Sequence, residues 1–361
     1  MNISFRFPEF LPMKKPSLSL LAGISLLPAC LVAQVRETPA VLALADGGNP
    51  QGYVQGANEQ GLLWATTPGG AAQVLPYERI RGEGLDKVIR FSDRPQVLAS
   101  PRALFSSGQY AEAAEGFGAV ARDYGIILNA PQNFATEALF YQIESLKRAG
   151  QYSALAPLVE SPAAATIVTK LGPAYQRAFE LQKIWALFGK NDLVALKTAL
   201  DAYQEPVLGA EKLLKAPNFK PMPLKEVAQL AFLRAKIFES EGEKDKALED
   251  YYRTFTLAFG NDVLLAKLAM GAAMVLQKDD PRIAAEEKGA LNQMRSIAYL
   301  YSLRFGKDSM PTEFQGFAVK PEVPRVVPAP EPPAEAAAPA EAPKEGAPPA
   351  ESKPAEAEKA K

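Results

Sequence analysis

Histidine is missing altogether from the 361 residues, and cysteine occurs once, at Cys30. Without imidazole there is no histidine general base, no Ser-His-Asp or Cys-His constellation and no histidine metal ligand. One cysteine excludes an internal disulfide and a thiolate zinc cluster. Charge of one sign is lacking as well: Lys+Arg 40 against Asp+Glu 41 leaves a net charge of -1. That balance gives none of the concentrated basic surface expected of a nucleic-acid binder. Nor is there a long apolar run of about 20 residues that would span a bilayer as a helix. No cofactor is expected, and chemistry would rest on carboxylates, lysine or tyrosine, with no pair of carboxylates placed for acid-base work.

What is present begins with an address. "MKKPSLSLLAGISLLPACLVAQ", starting at Met13, runs from Lys14 and Lys15 through an apolar stretch, Leu18 to Leu27, to small residues. Basic start, short apolar run and small residues in that order mark a secretory signal, here residues 1–33. The preceding residues fit no part of the pattern, so Met13 competes with Met1 as the start. Cleavage after Ala33 would leave Gln34 first and discard Cys30. "LPAC" instead resembles a bacterial lipoprotein box, in which Cys30 would be lipidated and become the first residue.

Residues 38–90 show short strand patterns broken by glycine turns: "AVLALADGG", "QGYVQGANEQG", "LLWATT", "PGG" and "AAQVLPYERI". Asp46-Gly47 and Gly69-Gly70 are turn signals. Four strands in so short a span suit a small bent sheet. The order, with Gly52, Gly56, Gly61, Leu75, Pro76, Tyr77 and Ile80, resembles the small SH3-like or Sm-like barrels of bacterial envelope proteins. It implies either a structural cap on the helices behind or a binding module.

Across residues 95–307 the period becomes helical, with glycine and proline between apolar-periodic runs. "LFSSGQYAEAAEGFGAV", "LFYQIESLKRAGQYSALAPLV", "LQKIWALFGKNDLVALKTAL" and "LAFLRAKIFESEGEKDKALEDYYRTF" each place a glycine between two helical runs. These are Gly108, Gly150, Gly189 and Gly242. In the last stretch Ala235 and Ala247 are small enough for close helix approach, and Tyr251 is large enough to fill the gap to a following unit. On these residues the chain resembles the tetratricopeptide-repeat family, stacked hairpins of 34 residues. The glycines lie 42, 39 and 53 residues apart by subtraction, so the resemblance implies enlarged connections such as "SPAAATIVTKLGP" and "EPVLGAEKLLKAPNFKPMPLK". A generic array of helical hairpins is the alternative.

The resemblance also implies a groove lined by the first helix of each hairpin. Counting back ten residues from Gly150, Gly189 and Gly242 gives Phe140, Phe179 and Phe232. Six back gives Glu144, Lys183 and Lys236; thirteen back gives Glu137, Gln176 and Gln229. Recurring phenylalanine among polar residues suits a peptide groove with apolar anchors. Burial as core between units is the other reading for the phenylalanines.

Residues 321–361 reduce to Pro, Ala, Glu and Lys, without aromatics, a composition expected to be disordered. The expectation is an α+β multidomain protein: a small β domain, a helical-hairpin solenoid and an extended tail. Its expected work is non-enzymatic, holding envelope proteins or peptides together in the periplasm or at the outer membrane. It would meet the membrane only if lipidated at Cys30, and would not bind nucleic acid. The alternatives are a lipid-anchored outer-membrane assembly factor and a carboxylate-dependent envelope hydrolase. Mass determination of the exported chain should find Gln34 at its start. An acylated Cys30 would instead establish the anchored form, and Cys30→Ala would then move the protein to the soluble fraction.

Overall fold

A computed structural model describes residues 38–82, 84–94, 96–208 and 222–320; for Asp86 and residues 204–208 it describes the backbone alone. The chain divides after Lys320. The expected signal segment with Cys30 and the expected tail lie outside the described residues.

The four expected strands form: β1 Ala40–Leu42, β2 Gln51–Ala57, β3 Gly61–Ala65 and β4 Gln73–Pro76. Helix α1, Leu85–Val88, leads into a fifth strand, β5 Ile89–Phe91, too short to stand out in the sequence. The sheet is antiparallel in the order β4-β3-β2-β1-β5, with β4 and β5 at its edges. Gly61 faces its neighbour so closely that a Cβ would lie 2.1 Å from the Leu75 carbonyl oxygen.

Helices follow: α2 Ala99–Ser106, α3 Tyr110–Asp123, α4 Phe134–Arg148, α5 Leu155–Val159, α6 Ala165–Lys170, α7 Pro173–Gly189, α8 Leu193–Leu208, α9 Leu224–Glu241, α10 Lys244–Ala258, α11 Val263–Lys278, α12 Pro281–Ala284 and α13 Lys288–Phe305. Their starts have local causes. Asn133 caps α4 by accepting from the Thr136 N–H at 2.7 Å, and Asp262 caps α11 through Leu265 N–H at 3.1 Å. Pro173 and Pro281 occupy first helical turns, where their missing N–H costs nothing.

Among the described residues one turn recurs five times. At Gly108, Gly150, Asn191, Gly242 and Glu286 the backbone is left-handed, with φ of 80, 74, 57, 80 and 55°. In each case the next N–H donates to the carbonyl five residues back: Gln109 to Leu104, Gln151 to Leu146, Asp192 to Leu187, Glu243 to Phe238 and Glu287 to Arg282. This is the Schellman arrangement that ends a helix. Helical structure resumes two residues after each one, at Tyr110, Tyr152, Leu193, Lys244 and Lys288.

The third hairpin departs from the expected turn at Gly189. Gly189 is the last residue of α7, and Asn191 makes the turn. Gly189 is glycine for another reason: a Cβ there would lie 2.1 Å from the Tyr152 carbonyl oxygen. The turns then lie 42, 41, 51 and 44 residues apart by subtraction, all longer than 34. Part of the excess is structured, since the expected insertion "SPAAATIVTKLGP" contains α6.

The hairpin of α9 and α10 packs as its small residues require. Ala235, Ala247 and Tyr251 are fully buried, and the Arg234 guanidinium grips Asp250 with two bonds of 2.5 and 2.7 Å. Sheet and helices share one hydrophobic core, joined where Phe91 of β5 meets Tyr124 at 4.8 Å and Phe134 of α4 at 6.2 Å. That core continues past residue 307, with Met310 and Phe314 buried.

Gly189→Ala should destabilise the protein by about 3 kcal/mol, because backbone must move to admit the methyl group. Asn191→Gly should be neutral or stabilising within about 1 kcal/mol, because glycine reaches the left-handed region without strain. Denaturant unfolding of the two variants checks the exchange of roles.

Candidate functional site

The first helices of the middle hairpins meet in a polar junction built on Glu144 of α4. Its carboxylate accepts from Lys147 Nζ at 2.7 Å, Arg148 Nε at 2.9 Å and Gln182 Nε2 of α7 at 3.1 Å. Lys147 Nζ also donates to Gln229 Oε1 of α9 at 3.1 Å, and Trp185 Nε1 of α7 donates to the same oxygen at 2.9 Å. Arg148 extends the junction backwards, its guanidinium lying 5.0 Å from the Phe105 ring centre and 5.6 Å from that of Tyr110. The Lys147 side chain is 8% exposed, so the two partners of its ammonium are what make its burial tolerable.

Burial alone would push the Glu144 carboxyl up. The charges and hydrogen bonds of Lys147 and Arg148 overcome this and hold it at about 2. Two further ties run alongside. Arg102 of α2 donates to Glu137 at 2.8 Å, and Tyr175 of α7 donates to the same carboxylate at 3.3 Å. Arg177 of α7 grips Glu226 of α9 at 2.8 and 3.0 Å, and Tyr203 adds a bond of 3.2 Å. Burial and Glu226 push the Tyr203 phenol up to about 12.

These contacts skip a neighbour. In a one-dimensional stack each unit touches only the next, yet α4 reaches past α7 to α9. A Cβ on Gly150, at the end of α4's turn, would also come within 3.9 Å of Leu264 on α11. What stays open is a small cleft lined by Lys147, Arg148, Tyr152, Trp185, Gln229 and Asp262, among others.

The structure places the nine expected groove residues unevenly. Phe140, Phe179 and Phe232 are 6, 2 and 3% exposed, so they are core side chains and not anchors standing open to a ligand. Phe140 packs on Tyr175 at 4.9 Å, and Phe232 lies among Trp185, Phe188 and Tyr251 at 5.8 to 6.1 Å. With Asn191 as the true turn residue, the position equivalent to Phe140 and Phe232 is Leu181, not Phe179. Glu144 and Gln229 are brought together through Lys147, and Glu137 bridges α2, α4 and α7 separately. Gln176 instead fastens α7 to the Val168 and Leu171 carbonyls at 2.7 and 3.3 Å. Lys183 and Lys236 pair within their own helices, with Glu180 at 2.7 Å and Glu239 at 3.0 Å.

Sequence reasoning missed Lys147, Gln182, Trp185 and the Arg177–Glu226 pair. Counting from Asn191 would have found Trp185, which lies six residues before it as Glu144 lies six before Gly150. Among the described residues there is no group of three or more metal-type side chains, and no helix is long and apolar enough to cross a membrane. Compared with known proteins, the chain matches no family model, no curated protein and no solved structure.

The Glu144 carboxyl falls from 4.5 to about 2 on folding, so its ionised form stabilises the protein above its ordinary value. That contribution, about 3 kcal/mol by linkage, is lost as pH drops from about 4.5 through about 2. The melting temperature of the wild type should fall as pH drops across that range, while Glu144→Gln removes this component of the pH dependence and lowers stability at neutral pH by about 3 to 5 kcal/mol. Phe232→Ala should cost about 3 to 5 kcal/mol, whereas an open anchor would leave the melting temperature unchanged.

Proposed function

We propose that the protein is a non-enzymatic interaction scaffold of the bacterial cell envelope, exported by the signal-like segment at residues 1–33. The observation that carries this reading is the fivefold use of one helix-ending turn, at Gly108, Gly150, Asn191, Gly242 and Glu286. Repeated hairpins of this kind present helix faces at fixed spacing, which is how helical-repeat proteins hold partners. The resemblance to tetratricopeptide repeats supports the same reading. Burial of the phenylalanines moves the expected contact surface outward, to side chains of the first helices that remain accessible. Lys183 on α7 and Lys236 on α9 are such residues, with side chains 42 and 27% exposed.

A photo-crosslinking amino acid in place of Lys183 or Lys236, used in living cells, should capture a discrete envelope protein. The same probe at Val194, at the start of α8 and 81% exposed, is the control on a second helix. Equal capture at all three sites would mean nonspecific contact, and the scaffold reading of the first helices would fail.

A further inference from the structure

The last hairpin differs from the others in charge and in surface. Helices α11 and α13 carry five cations, Lys267, Lys278, Lys288, Arg295 and Arg304, and neither contains a carboxylate. Exposed large apolar side chains also gather at this end. Of nine among the described residues, five fall between Val263 and Val319: Val263, Val275, Leu300, Leu303 and Val319. Terminal hairpins of helical arrays normally turn a polar face outward; among the described residues this one also turns apolar side chains outward.

Leu300, Leu303 and Arg304 stand on adjacent positions of one helical stripe, since residues three and four apart are neighbours. Leu303 is 64% exposed and Leu300 39%. Beneath them α13 turns Met294, Ile297, Ala298 and Tyr301 inward, so the stripe is not needed for the core. Arg304 lies 6.0 Å from the Phe259 ring centre, and Lys267 lies 6.0 and 5.9 Å from those of Tyr301 and Phe305. Neither makes an ion pair among the described residues. Lys278 is already occupied by Glu313.

We infer that the outer stripe of α13 docks an acidic amphipathic segment of another protein. Leucines at that segment's i and i+3 or i+4 positions would cover Leu300 and Leu303, and its carboxylates would pair with Arg304 and Lys267. Charge decides between occupants. A second copy would bring a carboxylate-free cationic helix against its like. A lipid surface is less suited to the site, because these cations are held over aromatic rings beside one narrow stripe and do not spread over a broad face. The stripe is separate from the Glu144 junction and from Lys183 and Lys236, so its test stands or falls apart from theirs.

The test uses the full chain and a fluorescein-labelled helical peptide with leucine at i, i+3 and i+4 and glutamate elsewhere. Fluorescence anisotropy should show binding that weakens about tenfold in Leu300→Gln/Leu303→Gln and in Arg304→Glu, and that falls as salt is raised. The substituted side chains are surface residues, so unchanged melting curves will accompany the loss. The inference is overturned by any of four results. These are no binding of the acidic peptide, equal binding of a peptide with glutamine for glutamate, co-sedimentation with phosphatidylglycerol vesicles in place of peptide binding, or self-association abolished by the leucine substitutions.

Discussion

The described helices depend on a buried carboxylate. Glu144 collects two cations and an amide from three positions on two helices, and through Lys147 and Gln229 its charge is tied to a third. Two positive charges and one negative in a largely desolvated place are tolerable only while every bond is made. Removing the carboxylate would leave Lys147 with Gln229 alone and Arg148 with the Phe105 and Tyr110 rings, two cations without a counter-charge. The junction also sets geometry, because its partners come from α4, α7 and α9 and admit few alternative packings.

Much of the architecture was legible because local chemistry decided it. The alternating strands and the turn glycines Gly47 and Gly69 needed no tertiary context, and Gly108, Gly150 and Gly242 announced helix ends through their freedom at positive φ. Asn191 and Glu286 adopt the same conformation without being glycine, and neither could be picked out from composition. Gly189 misled because a glycine demanded by close packing looks the same in sequence as one demanded by a turn. The two-residue slip that followed put Phe179 in the place of Leu181.

The candidate site was less legible, for a physical reason. Lys147 and Arg148 stand at the local helical spacings of three and four residues from Glu144, but Gln182 lies 38 residues from Glu144 and Gln229 lies 82 from Lys147. No local pattern encodes such pairing. Phenylalanine at a recurring register fits a groove and a core equally well, and only the packing of Phe232 against Trp185 and Tyr251 separates them.

The contacts that pass over a neighbour have a consequence for how the chain unravels. A linear stack can shed terminal units one at a time, since each boundary is a separate local interface. Here α4 is tied directly to α9 through Lys147 and Gln229, so a middle hairpin cannot open without breaking a bond to a later one. In this respect the described helices would open as a cooperative block. Insertions and deletions that ordinary repeat arrays absorb at any boundary would here have to respect a closed circuit of side chains.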